Sequence, residues 1–341
     1  MQASQAWPRC WPRSPTTARC ATSSRSDGPL TDLVLGAAGV VLAAIWACGE
    51  HFEAIAATGG ESSSVPIVNK PRAVTTGGGI TRRGVLLGVL AVPWLAACGR
   101  STEEQPGVSF EQGSISSKFW PGKDVRWRLA RPERRGAGSA AQSLIIALHG
   151  YGGDAGWPFA SAHIERHVAT TGLAVATVDG GNFYWHARKS GVDPSRLVVE
   201  ELLPMMARKG LAIDRVGLVG WSMGGYGALL MATKLGRGRV AGVAATSAAL
   251  WQSPSDSAAG AFDGRDDFVR NDVFAPRARG KLRGIPVRLD CGRDDPFIVA
   301  NRALARELPD AATTFDNGAH TKEYWTAHAG AQMAWLGKRF Q

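Results

Sequence analysis

Cysteine is scarce in this 341-residue chain, with five, at positions 10, 20, 48, 98 and 291. Only Cys98 and Cys291 lie in or near the globular patterning, and their spacing suits neither a zinc site nor a disulfide framework. Cys291 ends an apolar run and reads as a buried free thiol. The chain has no H-E-x-x-H pair, no P-loop and no dinucleotide fingerprint, so no metal and no cofactor is indicated. Lys and Arg outnumber Asp and Glu by 39 to 29, but no basic run exceeds two residues and no aromatic stripe interleaves with them. That argues against a nucleic-acid partner and fits an anionic lipid or cell-wall polymer at least as well. No apolar run reaches the ~20 residues of a comfortable membrane span. There is no internal repeat.

What is present is a chain 45% hydrophobic and 20% charged, long enough to bury a sizeable core. From Lys118 onward, short apolar runs alternate with helical patterns, which predicts an α/β fold with a mostly parallel sheet covered on both faces. The expected strands are Val125–Leu129, Ser143–Leu148, Leu173–Val178, Val216–Gly220, Val240–Ala245, Val287–Cys291 and Thr313–Asp316. Helical patterns fall at Pro194–Lys209, Gly225–Leu235, Ile298–Leu308 and Lys322–Phe340. Asp193-Pro194 reads as an N-cap with proline in the first helical position. Trp251–Gly284 reads as irregular, too short for a second domain and at most a small flap, so little or no lid is expected.

The first hundred residues have a different character. Thr81-Arg82-Arg83 opens an apolar run that ends Leu95-Ala96-Ala97-Cys98. A charged start, a short apolar middle and a small-residue cleavage site make an export signal. The arginine pair resembles a twin-arginine signal and the end resembles a bacterial lipobox. Together they imply a signal peptide over 74–97, lipid on Cys98, and a protein held at the extracytoplasmic face of the cell membrane. Residues 98–117 are then a polar tether and 118–341 the catalytic domain. Residues 1–73, with an apolar stretch at 33–48, are expected to be an unstructured extension or to precede a true translation start near Val74; the alternative for 33–48 is a membrane-associated helix.

The chemistry centres on Gly220-Trp221-Ser222-Met223-Gly224, which follows an apolar strand and opens a helix. G-x-S-x-G in that setting places a serine on a tight turn, and the small residues two before and two after it let strand and helix approach. The serine needs a base, and the base needs a group to fix its tautomer. His320 is the histidine that follows both the serine and a suitable acid and sits just past a strand end. The acid is expected at Asp295, with Asp294 as the alternative, in Gly292-Arg293-Asp294-Asp295-Pro296 after strand Val287–Cys291. Loops at the carboxyl ends of parallel strands meet in one crevice, so Ser222, Asp295 and His320 should converge.

An oxyanion needs two preorganised N–H donors. Met223, next to the nucleophile, supplies one candidate; Tyr151 of His149-Gly150-Tyr151-Gly152-Gly153 supplies the other. Trp157, Trp185, His186 and Trp221 are candidates to line a substrate pocket, and His328, inside the last helical pattern, reads as structural.

These pieces resemble the esterase D and antigen 85 mycolyltransferase branch of the α/β-hydrolase superfamily. The resemblance rests on His149-Gly150-Tyr151, Asn182-Phe183-Tyr184-Trp185-His186, Gly220–Gly225, Asp294-Asp295-Pro296-Phe297, Gly318-Ala319-His320 and Tyr324-Trp325. It implies a serine hydrolase that cleaves a small-molecule or lipid carboxylic ester through an acyl-enzyme. The alternative is acyl transfer to a sugar or glycerol hydroxyl. A peptidase fits less well, because no gating domain is apparent, and an intact triad argues against a non-enzymatic envelope protein. Acyl length, the alcohol part and the oligomeric state stay open.

Overall fold

A computed structural model of the chain describes residues 105–133 and 141–341. The expected signal peptide, Cys98 and everything expected of residues 1–73 lie outside the described residues.

Eight strands form one sheet in the order β1-β2-β4-β3-β5-β6-β7-β8. They are β1 Val108–Ser116, β2 Asp124–Pro132, β3 Gln142–Leu148, β4 Ala174–Val178, β5 Leu211–Trp221, β6 Val240–Thr246, β7 Val287–Asp290 and β8 Ala312–Thr314. β1 pairs antiparallel with β2, and β2 antiparallel with β4; every pairing from β4 through β3 to β8 is parallel. The helices are α1 Trp157–Ala160, α2 Val168–Thr171, α3 Pro194–Leu197, α4 Leu203–Arg208, α5 Met223–Leu235, α6 Arg265–Asn271, α7 Pro276–Leu282, α8 Ile298–Glu307 and α9 Lys322–Gly337.

The central strands are apolar on both faces because both faces are covered. β4 and β6 are buried at every residue, which is why they read as unbroken runs rather than as alternation. Leu144, Ile146 and Leu148 of β3 point into one core with Met223, Tyr226 and Leu229 of α5, whereas Ile145 and Ala147 point into the other with Trp325, Met333 and Leu336 of α9. α5 is apolar all round and buried on nearly every side.

Two expectations are corrected and one is refined. The tether over 98–117 is folded from Val108, where β1 adds an edge strand. Its sequence, Val-Ser-Phe-Glu-Gln-Gly-Ser-Ile-Ser, is mostly exposed, and only its pairing with β2 makes it a strand. The helical pattern over 194–209 is a continuous helical run from Pro194 to Arg208, α3 passing through a π turn at Val198–Leu202 into α4. The stretch 251–284 contains α6 and α7, short helices whose buried residues dock one side only. As expected, Asp193 caps α3, its carboxylate accepting the Arg196 N–H at 3.1 Å.

Candidate active site

Ser222 sits between β5 and α5 with φ +54° and ψ −117°, a conformation that strains any residue with a side chain. The turn is held from several sides. The Ser222 N–H donates to the Thr246 carbonyl at 2.9 Å, and the Ser222 carbonyl accepts from Tyr226 and Ala249. A β-carbon on Gly220 would lie 2.1 Å from the Gly224 carbonyl oxygen, and one on Gly224 would lie 1.9 Å from that of Leu148. Strand, turn and helix are thus closer than any side chain permits.

Loops after β7 and β8 bring the other two residues. The imidazole Nε2 of His320 is 2.9 Å from the Ser222 Oγ, and its Nδ1 is 2.8 Å from Asp295 Oδ2. With Nδ1–H donating to the carboxylate, Nε2 is left to accept from the serine hydroxyl. Asp295 is 2% exposed and its Oδ1 accepts the Phe297 N–H at 2.8 Å. Burial pushes this carboxyl up, but the His320 hydrogen bond and charge, the Phe297 N–H and Ser247 outweigh it, so Asp295 is held below the usual carboxylate range. Of the two adjacent acids, Asp295 contacts His320; Asp294 is exposed, and its backbone N–H donates to the Gly318 carbonyl.

The loop after β3 lies against the serine: a β-carbon on Gly150 would be 3.6 Å from that of Ser222. Met223 is the first residue of α5, so its N–H has no partner one turn back in the helix. His149 anchors the loop. Its Nδ1–H donates to the Gly150 carbonyl at 2.7 Å, and its Nε2 accepts the Gly180 N–H at 2.9 Å. Complete burial lowers the pKa of this imidazole, outweighing the Gly150 carbonyl and the charges of Asp179 and Asp154, so it stays neutral, as that pattern of bonds requires. Asn182 adds a further tie, its side-chain oxygen accepting the Gly152 N–H at 2.7 Å.

The four pocket candidates divide. Trp157 is half-buried, its ring 5.4 Å from that of Trp325, which in turn stands edge-on 5.0 Å from the His320 imidazole. Trp221, Trp185 and His186 are each 0% exposed and line no open space, contrary to expectation. Trp221 packs against Trp157. Trp185 lies beneath the loop after β3, its Nε1–H donating to the His149 carbonyl. His186 stacks on Phe262 and faces the carbonyls of Ala187 and Ala261, so it braces the 251–284 stretch. Tyr184 and Trp185 both adopt left-handed backbone, at φ +51° and +57°, which turns the loop inward. Sequence reasoning passed over Phe297, Trp251 and Ser247. The Phe297 ring lies 5.3 Å from that of His320 and 5.7 Å from that of Trp251, forming an aromatic flank beside the imidazole. Its position two residues after Asp295 was the available signal. Among the described residues, no group of three or more His, Cys, Asp or Glu side chains is arranged to hold a metal ion.

A mostly parallel eight-stranded sheet, with a strained serine at the turn after its fifth strand, defines the α/β-hydrolase fold. Residues 188–335 match the Esterase family, and the chain is a carboxylic ester hydrolase of the serine hydrolase type. Solved structures support the fold. A ferulic acid esterase superposes with a TM-score of 0.58 at 18% identity, over 68% of this chain and 98% of its own. An S-formylglutathione hydrolase from Agrobacterium tumefaciens gives 0.58 at 19% identity, over 69% and 96%. The fluorophosphonate-binding serine hydrolase F of Staphylococcus aureus gives 0.58 at 16% identity, over 67% and 98%. No curated protein matches the chain.

Proposed function

We propose that the protein hydrolyses uncharged carboxylic esters through an acyl-enzyme on Ser222. The observation that carries this is the continuous chain Ser222–His320–Asp295, with contacts of 2.9 and 2.8 Å. His320 takes the hydroxyl proton as Ser222 attacks the acyl carbonyl. The N–H groups of Met223 and Tyr151 receive the oxyanion, each worth roughly 3 kcal/mol in the transition state. His320 then gives its proton to the departing alcohol, and water repeats the sequence to release the acid. Asp295 keeps His320 in the tautomer that can do this. Trp325 and Phe297 stand against the His320 ring, backed by Trp157 and Trp251 respectively, and this apolar surface supports an ester whose acyl part is apolar.

The test is hydrolysis of p-nitrophenyl esters together with fluorophosphonate labelling. Activity and label are expected in the wild-type protein and absent in Ser222→Ala; full activity in that variant rejects the mechanism. Running the assay with and without glycerol or a sugar separates hydrolysis from acyl transfer.

The reading extends to location. Arg82-Arg83 and Leu95-Ala96-Ala97-Cys98 support export and a lipid anchor on Cys98. Metabolic labelling with a fatty-acid analogue is expected to mark the protein and to miss Cys98→Ser; equal labelling of both overturns the anchor.

A further inference from the structure

Inside the 251–284 stretch, residues 260–264 form a strap bounded by Gly260 at φ +76° and Gly264 at φ +125°, backbone that glycine adopts without strain. Arg188 holds this strap. Its Nε and Nη2 donate to Asp263 Oδ1 at 3.1 and 2.7 Å, and its Nη1 and Nη2 donate to the Ala261 and Gly260 carbonyls at 3.1 and 3.0 Å. The Lys189 N–H reaches Asp263 Oδ2 at 2.6 Å, and the Asp263 N–H donates to Asp267 Oδ2 at 2.9 Å. The Arg188 side chain is 8% exposed, so solvent screens the pair little.

The clamped strap fixes Phe262 among other rings. Phe262 stacks on His186 at 5.3 Å and lies 5.0 Å from Phe268, 5.9 Å from Tyr226 and 6.1 Å from Trp251. With Tyr226, Leu250, Trp251, Phe268 and Val273 it lines a void of about 10 Å³, room for a single water molecule at most. The polar groups of the wall are already engaged. The Tyr226 hydroxyl donates to the Asn271 carbonyl at 2.8 Å, and Asp272, also at the wall, accepts the Phe274 N–H at 2.8 Å. The void lies directly behind the nucleophile. Tyr226 is one helical turn past Ser222 and donates its N–H to the Ser222 carbonyl at 3.1 Å. Leu250 and Trp251 follow Ala249, whose N–H donates to the same carbonyl at 3.0 Å. From Trp251 the apolar wall continues through Phe297 to His320.

We propose that this void is the blocked end of a pocket for the acyl chain of the substrate, and that Phe262 determines how long a chain it takes. The inference rests on the reading of Ser222 as the residue that is acylated. A wall of aromatic and aliphatic side chains with its polar groups already paired suits an alkyl chain. With Phe262 in place, a chain running from Ser222 past Trp251 meets its ring, so short acyl groups are accepted and long ones are turned away. Arg188 and Asp263 keep that ring where it is. Removing the ring joins its space to the void.

The readout is the ratio of kcat/KM for p-nitrophenyl octanoate to kcat/KM for p-nitrophenyl acetate, in which a change common to both esters cancels. Phe262→Ala should raise this ratio ~10-fold or more, because each further methylene seated against apolar side chains adds a few-fold. A ratio that is unchanged or lower in the folded variant overturns the proposal. Phe262→Leu serves if the alanine variant does not fold; a smaller rise is expected, and an unchanged ratio again overturns the proposal. Wild-type protein that hydrolyses no ester at all would instead reject the esterase reading. Titration with octanoate, followed by tryptophan fluorescence, then decides the pocket. Binding ~10-fold or more tighter in Phe262→Ala than in the wild type supports it, and equal affinity overturns it.

Discussion

Asp295 Oδ2 lies 2.8 Å from Nδ1 of His320, inside the protein, whereas the neighbouring Asp294 faces solvent. An amide in place of the buried carboxylate presents the wrong group to Nδ1 and leaves His320 free to take the other tautomer. Asp295→Asn should therefore lower kcat by about 10⁴. Asp294→Asn, with an exposed side chain, should stay within about twofold. Steady-state kinetics on an ester substrate checks both.

Asp295 also links stability to pH. Its carboxyl is lower in the folded protein than in the unfolded chain, because His320 and the Phe297 N–H outweigh the cost of burial. The stability it contributes is thus fully present above the unfolded carboxylate value of about 3.9 and is lost as pH falls through the folded value. Asp316, lowered by Tyr324 and His328 against desolvation, acts in the same direction. Thermal melts should show stability declining below about pH 4, and Asp295→Asn should flatten that decline.

His149 anchors the loop after β3, the proposed oxyanion loop, through both ring nitrogens, to Gly150 and to Gly180. His149→Leu keeps the apolar bulk but loses both bonds, so the Tyr151 N–H is less well aimed. We expect kcat to fall ~10- to 100-fold with little change in KM.

At Gly224 a methyl group would meet the Leu148 carbonyl oxygen at 1.9 Å, a backbone atom that cannot swing away. Gly224→Ala should cost more than about 3 kcal/mol, lower the melting temperature by several degrees and abolish activity. Differential scanning fluorimetry checks the first part and the ester assay the second.

The loop carrying His320 is clamped by Tyr324, whose hydroxyl donates to Asp316 Oδ1 at 2.8 Å and whose ring stacks on His328 at 4.0 Å. Tyr324→Phe keeps the stack and loses one bond to a half-exposed carboxylate. A loss of about 1 kcal/mol in denaturant unfolding is expected. His328, read from sequence as structural, sits in this clamp, with Nε2 3.1 Å from Asp316 Oδ2.

What the sequence by itself determined is local. The run Val216–Gly220, the glycines around Ser222 and the helix after them specify a strained strand–turn–helix unit within a few residues. His320 was legible because the order of strands and loops leaves it at a strand end after a suitable acid. β1 was not legible, since a polar edge strand owes its form to β2 rather than to its own pattern. Position in the loop favoured Asp295 but left Asp294 as an alternative, as one-residue neighbours differ chiefly in which of them the turn buries. Trp185 and His186 look in sequence like the rim of a pocket; packing under His149 and Phe262 makes them braces instead. Ser247, an ordinary serine in the chain, gains its place only because β6 and α9 pack so that the Trp325 indole N–H reaches its hydroxyl. Contacts between residues tens of positions apart depend on how the layers pack. The tertiary structure alone decided them.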